Sequence, residues 1–96
     1  MTQRIGWDEA KRRSNLKKHG IDFAVVDLAF DDPSAVIEED TSERYGEARF
    51  KIVAVLRAQL LAIVFSERDD VIRIISARPA TKRERMIYAS SQNYNS

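Results

Sequence analysis

Proton-transfer chemistry near neutral pH has one obvious carrier in this 96-residue chain, His19. An unperturbed imidazole titrates at about 6.5, so it can give or take a proton where carboxylates and lysines cannot. With no cysteine there is no thiolate nucleophile, no disulfide framework and no Cys-based zinc site, and a lone histidine makes any zinc centre a poor fit. The other groups suited to chemistry are cations, and their distribution is uneven. Residues 1–21 hold six Lys/Arg against two Asp/Glu, and residues 71–90 hold five against one. Residues 22–48 hold one against nine, although the net charge of the chain is only +1. Two basic segments therefore flank an acidic one. Folded together, they would make a cationic surface suited to a polyanion. Solvated helix faces that never meet would produce the same counts.

The elements that must position these groups follow from periodicity and capping. Residues 8–19 predict a first helix, with Asp8 as N-cap and Gly20 at the left-handed position past its end. Only Leu16 is large and apolar between Lys11 and Lys18, so this helix buries a narrow face. Asp22 caps a second short helix with Phe23, Val26 and Phe30 on one stripe, ended at Asp31-Asp32-Pro33. Residues 35–39 form a candidate short strand, followed by a polar loop through Gly46. Three stronger strands follow at about 49–56, 60–66 and 71–78. In the first, Arg49, Lys51, Val53 and Val55 share a face. The second is apolar on both faces, as suits a central strand. Short connections near Ala58 and Asp69-Asp70 predict antiparallel hairpins. Thr81-Lys82-Arg83-Glu84 is a capping-box pattern that opens a last helix over 82–90, with residues 91–96 as a frayed tail. The expected fold is α+β: two N-terminal helices, an antiparallel sheet of three to four strands, and a C-terminal helix.

The size fits one domain spanning residues 1–96, with a stability on the order of 5–10 kcal/mol. Hydrophobic residues at 44% and charged residues at 32% are ordinary for a soluble protein. No apolar run approaches the ~20 residues of a membrane span. Met1 to Trp7 lacks the apolar core of a signal peptide, so a cytoplasmic location without membrane association is expected.

Two separated motifs in this frame resemble a known family. Trp7-Asp8-Glu9-Ala10-Lys11, Asn15 and Lys18-His19-Gly20-Ile21 are similar to the start of BrnT proteins. Ile74-Ile75-Ser76-Ala77-Arg78, Ala80-Thr81, Glu84-Arg85 and Tyr88 are similar to their end. The stretch from Arg49-Phe50 to Phe65-Ser66-Glu67-Arg68 fits in register between them. The resemblance spans residues 5–90 and implies a RelE-like fold and an endoribonuclease toxin that stops translation when free. It also implies a partner antitoxin of ribbon-helix-helix type in a two-plus-two complex, which touches DNA only through the antitoxin and represses its own operon. The implied cofactors are none and the implied metal is none. The chain departs from the family pattern at Ala54, where glycine is usual, at the turn Arg57-Ala58-Gln59, and at Pro79, where a basic residue is usual.

RNA cleavage without metal uses the neighbouring 2′-hydroxyl as nucleophile, a proton acceptor, a stabiliser for the phosphorane and a proton donor to the leaving 5′-oxygen. One histidine rules out a two-histidine relay, so the mechanism must rest on that histidine, or on Lys, Glu or Tyr, with arginines around the phosphate. Under the resemblance, His19 is the first candidate for proton transfer, favoured in its protonated form by the helix C-terminus, against a plain capping role. Arg78 can grip two phosphate oxygens, against an ion pair with the acidic middle segment. Tyr88 can stack on a base or position the leaving oxygen. Lys18, Arg49, Arg68 and Arg83 are the expected RNA-binding cations. Arg73 is left out, because period-two counting points it away from Arg78. Glu84 is assigned to the capping box. Trp7 is read first as an anchor and second as a base-stacking ring. The acidic segment has no carboxylate pair at metal-ligand spacing and reads as a solvated loop or a surface repelling nucleic acid. Alternatives to a ribonuclease toxin are a non-catalytic co-repressor module and a degenerate toxin that still binds its antitoxin.

Overall fold

The structure, a computed structural model, describes residues 4–40 and 48–94. Strand β1 (Arg4–Trp7) leads into helix α1 (Glu9–His19), and a 3-10 helix spans Phe23–Asp31. Strands β2 (Val36–Asp40), β3 (Arg49–Leu56), β4 (Gln59–Arg68) and β5 (Val71–Pro79) follow, and helix α2 (Lys82–Tyr94) ends the described chain. The sheet has five strands in the order β1-β5-β4-β3-β2. Strands β2 to β5 are antiparallel neighbours, whereas β1 runs parallel to β5.

The α+β class is as expected, but the layout differs in three ways. A strand precedes the first helix, so the sheet is mixed. Its four residues, Arg4-Ile5-Gly6-Trp7, are too few to display an alternation, and its partner β5 lies more than sixty positions away. The second helix is 3-10, with Phe23, Val26 and Ala29 buried at a spacing of three, which is the period of that helix. The last helix continues to Tyr94 instead of fraying at residue 91. The polar loop expected before Gly46 falls largely on residues 41–47, outside the described residues.

Other expectations hold. Asp8 accepts from the Ala10 and Lys11 amides, and Gly20 takes the left-handed conformation at φ 72°. In the capping box, the Thr81 Oγ accepts from the Glu84 amide at 3.2 Å and Glu84 accepts from the Thr81 amide at 2.8 Å. Both hairpins turn through two residues with positive φ, Arg57-Ala58 and Asp69-Asp70, which matches the right-handed strand twist. Central β4 buries residues on both faces.

The main core lies on one face of the sheet. Phe23, Val26 and Ala29 of the 3-10 helix pack there against Ile52, Ile63, Phe65, Ile72, Ile74 and Ala77. Phe65 contacts Phe30 edge-on at 5.2 Å and stacks on Phe50 at 5.5 Å. Helix α1 joins the sheet by polar contacts: Leu16 is 40% exposed and Asn15 is the buried residue. The Asn15 amide donates to the carbonyls of Ala77 (2.8 Å) and Ile21 (3.0 Å), and its oxygen accepts from the Ala77 amide at 3.1 Å. Paired β1 stops opposite Ile74, so the Asn15 side chain substitutes for a missing strand along the β5 edge. Arg12 adds a bidentate pair to Asp22 at 2.8 and 3.0 Å, which holds the Asp22 carboxyl below its ordinary range.

Candidate nucleic-acid interface

Alternation assigns the charged groups to the second face of the sheet. On β3, Phe50, Ile52 and Ala54 meet the main core, while Val53 meets a smaller cluster with Ala62, Ala80 and Tyr88 under α2. Arg49 and Lys51 share the Val53 side. On β4 and β5, Ala62 opposes Arg78 and Ser66 opposes Arg73.

Strand β5 departs from simple alternation. Phe65 opposes Ile74 and Val64 opposes Ser76, so Ile75 is an extra residue in a β-bulge. Ile74 and Ala77, an odd number of positions apart, both enter the main core. The bulge therefore corrects a sequence reading: Arg73 lies on the same face as Arg78, while Ile74 enters the main core. The α2 face thus carries Arg49, Lys51, Arg68, Arg73 and Arg78 in adjacent strands.

Helix α2 covers only part of this face. Its buried Glu84 receives the Arg78 guanidinium bidentately, at 2.7 and 3.0 Å, and the Lys51 ammonium at 2.9 Å. Lys51 also lies 3.6 Å from Glu38 of β2. The Arg78 hydrogen bond, against the opposing effect of burial, and then the Thr81 amide and Lys51 hold the Glu84 carboxyl far below the usual carboxylate range. Glu84 is thus the counter-ion of the cluster and too weak a base to take a proton near neutrality. Arg78 does find an ion pair, with the last helix instead of the acidic middle segment.

Tyr88 lies one turn beyond Glu84. It is 8% exposed, and its hydroxyl donates to Asp32 at 2.8 Å. Burial pushes the Asp32 carboxyl up, but the amides of Val55 and Ser34 and the Tyr88 hydroxyl outweigh it and leave it below its usual range. Asp32 therefore ties the end of the 3-10 helix to β3 and α2.

Of the expected site residues, Arg78, Arg49 and Arg68 share one sheet face. Arg83 stays exposed on α2, where it and Lys82 border a surface concavity of about 560 Å³ with Met86 and Ile87. Lys18 is exposed and His19 half-buried in the last turn of α1, at the β5 edge. No hydrogen bond or ion pair among the described residues joins His19 to Arg78. Sequence reasoning passed over Lys51, although its shared face with Arg49 was visible. It had no signal for the Arg73 bulge, for the buried amide of Asn15 or for Asp32 as a three-donor acceptor. Among the described residues, no three His, Asp or Glu side chains gather as a metal-binding group, and no helix is long and apolar enough to cross a membrane.

The family model for the ribonuclease toxin BrnT of type II toxin–antitoxin systems matches residues 7–84. The chain belongs to the BrnT family. The matched span runs from Trp7 to Glu84, so it contains α1, the whole cationic face and the Glu84 counter-ion, and stops short of Tyr88. No curated protein matches the chain. The BrnT family is one of ribonuclease toxins, which makes RNA the target and a protein antitoxin the partner.

Proposed function

We propose that this BrnT-family chain is a single-domain, cytoplasmic endoribonuclease with a RelE-like arrangement, which cleaves RNA without a metal ion and thereby arrests translation. The observation that carries this reading is that Arg49, Lys51, Arg68 and Arg78 share the part-covered sheet face, with Lys51 and Arg78 meeting at Glu84. In this mechanism the 2′-hydroxyl attacks the adjacent phosphorus, its proton leaves to a base, and the P–O5′ bond breaks as the 5′-oxygen takes up a proton. The products are a 2′,3′-cyclic phosphate and a 5′-hydroxyl. Arg78 stabilises the phosphorane, in exchange for part of its contact with Glu84, and Lys51 stands beside it. His19 serves as the proton carrier, and Lys18, Arg49, Arg68 and Arg83 hold flanking phosphates. Tyr88 is read as a positioning residue, because a ring 8% exposed with its hydroxyl on Asp32 offers little face to a base. The antitoxin is of ribbon-helix-helix type in a two-plus-two complex, and contacts DNA on behalf of both.

A second reading, an inactive antitoxin-binding co-repressor, is favoured by one observation: both terminal nitrogens of Arg78 are already engaged by Glu84. Induced expression in a bacterial host separates the two. The first reading expects growth arrest, relieved by His19→Ala or Arg78→Ala at unchanged folded protein, with RNA cleavage in chelator reduced about 100-fold or more in each variant. Growth and intact RNA with the unaltered chain select the second reading. Full toxicity in both variants overturns the site assignment.

A further inference from the structure

The cations at Glu84 occupy only one end of the second sheet face. At the other end, four residues form a row across adjacent strands: Gly6 opposes Arg73, Arg73 opposes Ser66, and Ser66 opposes Arg49. Directly opposed side chains lie about 5 Å apart at Cβ, so one serine hydroxyl stands between two arginines. Ser66 is 3% exposed, at the floor of a depression of about 340 Å³ that Gly6, Arg68, Val71 and Arg73 also line. Arg68 lies two positions from Ser66 on the same face, and Arg4 opposes Val71. Asp69 borders the depression, 3.9 Å from Arg68, and Asp40 opposes Arg49 in register. Lys51 and Arg78 have Glu84, but among the described residues no acid pairs with Arg49 or Arg73. A Cβ at Gly6 would meet nothing within 4 Å, so the missing side chain leaves that side of Arg73 open.

Trp7, the aromatic neighbour of Gly6, packs on the other face against the main core, so β1 gives the depression no ring. What this place offers is charge and one hydroxyl. A phosphate matches that set, with oxygens to share between guanidinium groups and another to accept from Ser66. Such a contact fixes the position of a strand and reads no base. Ser66 opposes Arg73, whereas Arg78 opposes Ala62 four residues along β4, which separates the two places by about 13 Å along the strand. One phosphodiester cannot occupy both. We infer that the Ser66–Arg73 depression is a second phosphate subsite, which holds a backbone phosphate of the RNA other than the scissile one, with Arg73 as its principal contact. The inference rests on the ribonuclease reading for the identity of the polymer, and on the row of residues for the site.

The experiment titrates the full chain, labelled with nitrogen-15, with a 2′-O-methyl RNA hexanucleotide and with its abasic counterpart. These probes have no free 2′-hydroxyl, so binding is read whether or not the chain cleaves RNA. The expected result is saturable shifts of the Gly6 and Ser66 amides and of the Arg73 Nε–H. Affinity should fall about tenfold in Arg73→Ala, with the salt slope smaller by about 1. The same fall is expected with the abasic probe, since the contact is to phosphate. Gly6→Glu, which sets a carboxylate beside Arg73, should lose at least as much, and Gly6→Gln clearly less. Arg13→Ala on the exposed side of α1 should bind as the unaltered chain. The losses in Arg73→Ala and Arg78→Ala should add in the folded double variant, as for sites that share no partner. Absence of shifts at Gly6 and Ser66 overturns the subsite. So does unchanged affinity in Arg73→Ala, or a loss that vanishes with the abasic probe. A double variant no weaker than the weaker single variant overturns its separation from Arg78. Binding as expected by a chain that cleaves no RNA keeps the subsite and removes the ribonuclease reading instead.

Discussion

The two faces of the sheet are built on opposite terms. One buries Phe23, Val26, Ile52, Ile63, Ile74 and Ala77 in a continuous apolar layer. The other has a small apolar cluster of Val53, Ala62, Ala80 and Tyr88 beside a buried carboxylate with two cations. A chain of this size has little apolar material to spare, and most of it goes to one face. The second face can then carry Arg49, Lys51, Arg73 and Arg78, with Glu84 pairing Arg78 and Lys51 and Glu38 standing near Lys51. Stability and charge are thus supplied by different sides of the same strands.

The largest effect that would break this comparison is in the apolar layer. Phe23→Ala should lose about 3–5 kcal/mol by denaturant unfolding, since Phe23 is fully buried. Such a loss approaches the whole stability of a small domain, so little folded protein is expected. A loss below about 1 kcal/mol would mean that the 3-10 helix is not part of the core.

Glu84→Gln comes next. Breaking a fully buried pair costs about 3–5 kcal/mol, but Arg78 and Lys51 are partly solvated, and about 2 kcal/mol is expected. The variant should bind RNA more tightly at low salt, because the two cations lose their counter-ion. The pH dependence supplies an independent check. The Glu84 carboxyl is depressed when folded and titrates near about 4.3 when unfolded. Its contribution is therefore complete above roughly pH 5 and is lost as pH falls toward the folded value. The unaltered chain should lose stability over that acid range more steeply than Glu84→Gln. Parallel acid limbs would mean that Glu84 is not the counter-ion.

Asn15→Ala should cost about 2 kcal/mol, because it strips partners from the Ala77 amide and carbonyl at a buried edge. Amide exchange at Ala77 should accelerate with it. The smallest effect sharpens the picture at the hairpins. Ala58 holds φ 65°, a conformation that costs a residue with a Cβ about 1 kcal/mol. Ala58→Gly should therefore raise stability by about that much, and Asp70→Gly by less, since aspartate tolerates this region better.

Much of the frame was legible in the residues. The alternation of Arg49 to Leu56, the double-sided apolarity of β4, the capping residues Asp8, Asp22 and Thr81, and the paired end motifs of the BrnT resemblance all depend on neighbours in sequence. Local sterics and hydrogen bonding act over a few positions, so sequence alone determined these elements, their approximate ends and the family. It also nominated candidates to carry a proton or hold a phosphate, although it passed over Lys51 and set Arg73 on the wrong face.

What only the tertiary structure decided depends on partners far apart in the chain. The parallel pairing of β1 with β5, the Asn15 amide along the edge at Ala77, and Asp32 joining Val55 to Tyr88 each need groups brought together by folding. The bulge at Ile75 is the sharpest case. One added residue reverses the parity of β5, and the face on which Arg73 stands is set by how β4 and β5 pair, a choice that side-chain periodicity within β5 does not encode.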